Sequence, residues 1–301
     1  MWFTCALGAA FFFGLRSILY QWSSQRQIDR HLLFAMVYIG STILMIGVDI
    51  WMQPGWNQAA LLGIVMGIFS CTANTCLYKG YAVGRASVIG FFSGLTPVLV
   101  TVAAAWLWQE KLAWMQWVGL LIVVGSLFIV RYTKELQQGQ YTGWQWGLLA
   151  IVWYSLTDLT SKQALFMGAS IIPTLTIMFM TSSVLFTLSY LHGKWRQRER
   201  HPASASTDDF TTRTKQPKTN SWTFSSMLRL GVLIALINVT AMMLKLAAFD
   251  GGITGVASAI MALSVVVVLI YARFYLKESW RPLEVYGVLL ALLGVVIMKV
   301  F

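Results

Sequence analysis

The 301-residue chain contains few charged residues, few cysteines and few histidines. Asp, Glu, Lys and Arg make up 11% of it, against roughly 25% in a typical soluble domain. Apolar residues make up 57%, and the mean hydropathy is +0.67. This apolar fraction is too large for one water-soluble core, so we expect the chain to use the lipid bilayer as its solvent.

The scarcity of cysteine and histidine excludes several kinds of chemistry. The three cysteines, Cys5, Cys71 and Cys76, lie in apolar segments without C-x-x-C or Cys/His metal spacing. The three histidines are scattered in or beside polar segments, and no H-E-x-x-H, G-x-S-x-G or D-D-x-x-D motif is present. We therefore predict that the protein is not an enzyme, and we assign no catalytic residue, metal or cofactor.

Long apolar runs dominate what is present. A helix needs roughly 20 apolar residues to cross the hydrocarbon core of a bilayer. Runs of about this length are separated by short segments that carry glycine, proline or charge. The sequence predicts an all-α integral membrane protein with about ten transmembrane helices, at 2–22, 33–51, 59–80, 87–108, 114–131, 145–165, 172–191, 227–249, 254–275 and 283–300.

The net charge of +11 is distributed unevenly among the connections. Most Lys and Arg residues lie in the odd-numbered loops, which include a polar and flexible loop predicted at about 192–226. Cytoplasmic loops are enriched in Lys and Arg, so we expect these loops in the cytoplasm and the protein in the plasma membrane. This topology accounts for the basic excess, and we predict no nucleic-acid partner.

The chain contains an internal repeat. Glu110 and Gly119 have the same spacing as Glu278 and Gly287, and each glutamate lies between two apolar runs. We predict two domains of five spans each, 1–135 and 136–301. An odd number of spans places the second domain in the membrane in inverted orientation, and inverted repeats are typical of secondary transporters.

These motifs resemble the drug/metabolite transporter superfamily, in its ten-helix form with two EamA-type domains. The resemblance covers nearly the whole chain and is carried by Thr96-Pro97, Glu110…Gln116…Gly119 and Glu278…Glu284…Gly287. It implies export or exchange of small metabolites, amino acids or drugs by alternating access, through a central cavity lined by both halves. Val265 stands where the repeat would place a second Pro97, which leaves open whether the ninth span is broken.

Polar and charged residues inside the spans are the candidate binding groups. A charge at the bilayer centre costs roughly 2.5–3.5 kcal/mol on insertion scales, so such residues usually face a cavity or a partner. The predicted substrate-binding residues are Arg16, Asn74, Lys79, Asp158, Lys162, Asn238 and Lys245.

Three of these assignments have structural alternatives. Asp158 is the candidate for proton coupling, but it could instead pair with Lys162 one turn later or with Arg16. Lys79 and Lys245 occupy matching positions in the repeat. They could form two cationic gates, or they could extend along their helices to the membrane surface.

The sequence therefore favours a secondary transporter that exports small organic molecules by alternating access. The basic character of the candidate site predicts an anionic or zwitterionic substrate, amino-acid-like compounds included. The expected partners are this substrate, the lipid bilayer and, as candidate coupling ion, the proton. The alternatives are a channel, a receptor-like membrane protein and a membrane-embedded enzyme.

Overall fold

The computed structural model describes residues 1–24, 30–83, 95–131, 143–200, 224–275 and 282–300. In these ranges the regular structure is helical, with eleven α-helices and one short 3₁₀ helix, Gln58–Leu61. The α-helices are α1 Trp2–Ser24, α2 Arg30–Met52, α3 Leu62–Val83, α4 Thr96–Leu107, α5 Trp114–Arg131, α6 Trp144–Phe166, α7 Ile171–Arg200, α8 Phe224–Gly251, α9 Thr254–Met261, α10 Ser264–Phe274 and α11 Pro282–Val300.

The helices confirm the all-α membrane fold predicted from the apolar runs. Each of the ten predicted spans contains a described helix, and most ends agree within three residues. Among the described residues, six segments are long and apolar enough to cross a membrane: Trp2–Tyr20, His31–Met52, Gln58–Leu77, Ile171–Trp195, Ser225–Gly251 and Thr254–Tyr271. α6 has the length to span but is more polar, because it carries Asp158 and Lys162.

The ninth span is broken although it lacks a proline. α9 ends at Met261 and α10 begins at Ser264. Between them, the amide of Leu263 donates to the carbonyl of Ile260, and the amide of Val266 donates to the carbonyl of Leu263. These bonds span three residues instead of four, which tightens the backbone and divides the helix. The first half of the predicted fourth span, 87–94, lies outside the described residues.

Two helices extend into the polar segment predicted as a loop at 192–226. α7 continues to Arg200 and α8 begins at Phe224. The prediction ended these spans where the apolar runs end. Backbone hydrogen bonding continues past that point, because a helix is held by its backbone groups and does not require apolar side chains.

The helices pack in pairs that join the first five to the last six. α1 packs against α8, and α6 packs in the same way against α3; α2 packs against α7, and α5 against α11. At the α5–α11 crossing, Gly119 and Gly294 bring the two backbones together. A Cβ on Gly119 would lie 2.8 Å from the carbonyl oxygen of Gly294. Small residues of this kind permit close packing between membrane helices.

The bundle has two ends that differ in their connections. The short-loop end carries the connections 53–61, 108–113, 167–170 and 252–253, all of which are described. The helix ends at the opposite end, called the basic-loop end, border the segments 25–29, 84–94, 132–142, 201–223 and 276–281, which are outside the described residues.

Candidate functional site

Polar side chains from four helices meet where the first five helices pack against the last six. Six of the seven predicted site residues lie there: Arg16 on α1, Asn74 on α3, Asp158 and Lys162 on α6, and Asn238 and Lys245 on α8. Because α1 and α6 both pack against α8, the polar face of α8 holds much of this cluster together.

Arg16 bonds to an uncharged partner. Its Nη1 donates to Oδ1 of the buried Asn238 over 2.6 Å, and its guanidinium lies 4.8 Å from the ring centre of Phe13 and 5.9 Å from that of Tyr20. Its Nε is buried and has no hydrogen-bond acceptor. An amide cannot neutralise a guanidinium, so this site keeps a full positive charge with an unused donor.

Asp158 and Lys245 form an ion pair across the α6–α8 contact. The Nζ of Lys245 lies 2.7 Å from Oδ1 of Asp158, and the two side chains are 6% and 15% exposed. The ammonium also lies 5.7 Å from the ring centre of Phe249. At this distance and burial the charges neutralise each other.

This ion pair corrects three sequence-based interpretations. Asp158 pairs neither with Lys162 nor with Arg16, because both of those residues have other partners. Lys245 does not extend to the membrane surface, since its side chain is buried against α6. The sequence could not reveal this contact, because 87 residues separate the two charges.

Lys162 closes the cluster at the short-loop end. Its Nζ donates to the carbonyl of Phe249 over 2.6 Å and to that of Gly252 over 3.3 Å, at the end of α8. It also lies 3.5 Å from Oε1 of Glu110. That carboxylate accepts hydrogen bonds of 2.8 Å from both the amide and the hydroxyl of Thr254, where α9 begins.

Glu110 belongs to this network but was not predicted as a site residue. In the sequence it was used to align the repeat, at the connection between the fourth and fifth spans. It could have been noticed because it is one of the few acidic residues and lies beside a span end. No local pattern indicated that the start of α9 lies next to it.

Asn74 is the centre of a neutral network. Its Nδ2 donates to the hydroxyl of Tyr38 over 3.1 Å and to the carbonyl of Ser70 over 2.7 Å. The hydroxyl of Tyr154, on α6, donates to its Oδ1 over 2.9 Å. The two tyrosines were not predicted as site residues, because aromatic residues are too common in the spans to stand out.

Two further polar residues are Lys79, which was predicted as a site residue, and Ser155. Lys79 is exposed and stands apart from the cluster, with its Nζ 5.0 Å from the ring centre of Trp146. Ser155 shares the polar face of α6 with Asp158; it is buried, and its hydroxyl has no hydrogen-bond partner. In the part of the chain that the structure describes, no three His, Cys, Asp or Glu side chains form a metal-binding group.

Comparison with known proteins assigns the first part of the chain to a family. The model of the EamA-like transporter family matches residues 1–132. These residues form an EamA-like transporter domain. A solved structure titled only "Crystal structure of protein" has a TM-score of 0.72 at 12% identity, covering 99% of this chain and 97% of that chain. At this identity it shows that the fold is shared over the whole chain, and nothing about substrate. No curated protein matches.

The match of residues 1–132 and the apolar helices make this a multi-pass membrane protein. Within it the charges lie at three levels. From the short-loop end inward these are Glu110–Lys162, Asp158–Lys245 and Arg16–Asn238. Along α8, Asn238 and Lys245 are seven residues apart, or roughly 10 Å at 1.5 Å per residue. At the first two levels each cation faces a carboxylate, whereas none in the described ranges pairs with Arg16.

Proposed function

We propose that the protein is a secondary transporter that exports small organic molecules carrying a carboxylate or another anionic group. The observation that carries the proposal is Arg16, held between the two sets of helices by a neutral amide. The proposed binding region is formed by the polar residues around it on α1, α3, α6 and α8. Transport occurs by alternating access, with the two halves moving about this region.

The packing of the helices supports two inverted halves, 1–135 and 136–301. Exchanging the halves converts the contact between α1 and α8 into the contact between α6 and α3. The repeat also aligns Thr96 with Ser264, and these residues begin α4 and α10. An odd number of spans in each half gives the inversion, and the site of such transporters lies between the halves.

The chemistry of Arg16 supports an anionic substrate. A guanidinium offers five N–H donors in a planar fork that fits the two oxygens of a carboxylate. Asn238 accepts from Nη1, and the buried Nε has no acceptor. A hydrogen bond to a charged group contributes about 1.5–3 kcal/mol, so a substrate carboxylate can compete with the amide for this fork. The aromatic rings of Phe13 and Tyr20 hold the guanidinium in place.

The direction of transport and the coupling ion complete the proposal. The protein lies in the plasma membrane, with its basic loops on the cytoplasmic side. Export follows from the resemblance to drug/metabolite transporters. Asp158 is the proposed proton acceptor, since its protonation would release Lys245 from their ion pair.

Flux into liposomes containing the purified protein tests the function. The labelled compounds form matched sets: an organic acid, its amide, the corresponding amine and the corresponding amino acid. We expect uptake of the acid above that of its amide and amine, with the amino acid as the zwitterionic case. Preloading with unlabelled acid should accelerate uptake, because carriers exchange substrate whereas channels do not.

The same assay includes a pH gradient of either sign. Acid uptake driven by the pH gradient supports proton coupling. Flux that is the same with and without the pH gradient excludes proton coupling. Absence of flux for every compound, with protein that remains folded in the liposomes, would contradict the proposed function.

A further inference from the structure

We propose that Glu110 is a latch that holds the short-loop end of the bundle closed and releases it during transport. The proposal rests on alternating access, the mechanism proposed above. It adds a residue outside the proposed binding region and gives it a role in controlling access to that region.

The latch joins the two halves through the start of α9. Glu110 lies between α4 and α5 in the first half, whereas Thr254 and Lys162 belong to the second. Both carboxylate oxygens of Glu110 are used, one by the amide and one by the hydroxyl of Thr254, each over 2.8 Å. The positive end of the helix dipole adds to this attraction, because a helix N-terminus favours negative charge.

Lys162 ties this contact to the end of α8. Its ammonium lies 3.5 Å from Glu110 and donates to the carbonyls of Phe249 and Gly252. A cation is favourable at a helix C-terminus for the same reason that an anion is favourable at an N-terminus. One carboxylate and one ammonium therefore hold together the 108–113 connection, α6, α8 and α9.

The contacts of the latch can be exchanged for water, in contrast to those at the α5–α11 crossing. The Glu110 and Lys162 side chains are 13% and 14% exposed, so water reaches the network. At the crossing, Gly119 and Gly294 place backbone against backbone, and separation there would leave a void. The short-loop end can therefore open at the latch while α5 and α11 stay packed.

The position of the latch fits control of access to the binding region. Lys162 follows Asp158 by about one turn of α6, and Phe249 follows Lys245 by about one turn of α8. The next polar level inward is Arg16–Asn238. Release of Glu110 would therefore expose first the Asp158–Lys245 pair and then Arg16 to the short-loop side.

Thiol labelling tests the latch without requiring transport. Cys5, Cys71 and Cys76 are replaced by Ala, and Ser155→Cys places a single thiol on the buried polar face of α6. A membrane-impermeant maleimide is added from the short-loop side of oriented liposomes. We expect Glu110→Gln to raise the labelling rate at least about fivefold, which corresponds to roughly 1 kcal/mol of lost closure.

Asp250→Asn is the matched control. Asp250 is an exposed carboxylate at the same end of the bundle, so its removal changes the charge without touching the latch. Its labelling rate should equal that of the parent protein. Equal labelling of folded Glu110→Gln and Asp250→Asn would overturn the proposal, even if the parent protein transports substrate.

A second pair of variants locks the same contact. In the cysteine-free background, Glu110→Cys combined with Thr254→Cys is joined by a short bifunctional thiol reagent that a reductant cleaves. The joined protein should lose at least about nine tenths of its flux and recover it after cleavage. Undiminished flux through the joined protein would overturn the latch. A rise in Ser155→Cys labelling, together with no flux of any compound through the parent protein, would instead contradict the proposed function.

Discussion

Arg16, half-buried on α1, and Lys245, buried on α8, are both cations at the polar face of α8, but they have different partners. Lys245 faces the carboxylate of Asp158, whereas Arg16 faces the amide of Asn238. The first arrangement is neutral and complete, so it contributes to holding α6 against α8. The second keeps a positive charge and a free donor, and both can be used by a ligand. The comparison distinguishes a charge-balanced ion pair from the proposed binding group in one interface.

The largest effect is expected when the ion pair is broken. Lys245→Met leaves Asp158 buried without its cation, and loss of one partner of a buried pair costs about 3–5 kcal/mol. We expect a clear fall in the thermal unfolding midpoint of the detergent-solubilised protein. Asp158→Asn added to Lys245→Met removes the uncompensated charge and should restore much of the stability. If Lys245→Met alone is as stable as the parent protein, the ion pair does not stabilise the fold.

Replacing Arg16 should reduce transport far more than stability, in contrast to replacing Lys245. Arg16→Gln removes the charge, and loss of a charge-assisted hydrogen bond of about 1.5–3 kcal/mol predicts at least a tenfold fall in uptake of an organic acid. The unfolding midpoint should change little, because no carboxylate in the described ranges is left without a partner. Arg229→Gln, at an exposed position on α8, is the control and should retain parental flux. Equal flux in both variants would exclude Arg16 from recognition.

Lys79 should show the smallest effect. It is exposed and bonded to neither α8 nor a carboxylate of the described residues. Lys79→Gln should therefore alter stability by less than about 0.5 kcal/mol and flux by less than about threefold. A tenfold loss of flux would restore the cationic-gate role that the repeat suggested and would weaken the contrast between Arg16 and the other cations.

The sequence predicted the helices well because lipid imposes a simple rule on them. Each span needs a run of apolar residues, so most ends agree with the structure within three residues. The break before Ser264 was not predicted, since it comes from three-residue hydrogen bonds and has no proline to mark it. The helical ends of α7 and α8 were missed because hydropathy marks the membrane and does not mark the end of a helix.

Only part of the membership of the candidate site could be predicted. The cost of charge in lipid identified Arg16, Asp158 and Lys245. Their partners depend on how distant helices pack, and neither the Asp158–Lys245 pair nor the Glu110–Thr254 contact has a local pattern. The candidate site is therefore less basic than predicted, because carboxylates neutralise Lys162 and Lys245.

The most direct test gives Arg16 a carboxylate partner, the kind of partner that Lys245 has. Asn238→Asp keeps the size of the side chain and supplies a carboxylate 2.6 Å from the guanidinium. We expect uptake of an organic acid to fall about tenfold or more, as the new carboxylate occupies the fork, while the unfolding midpoint holds or rises. In the Arg16→Gln background, the same change should have little further effect on flux. Undiminished acid uptake by folded Asn238→Asp protein would contradict the claim that an unneutralised Arg16 recognises the substrate.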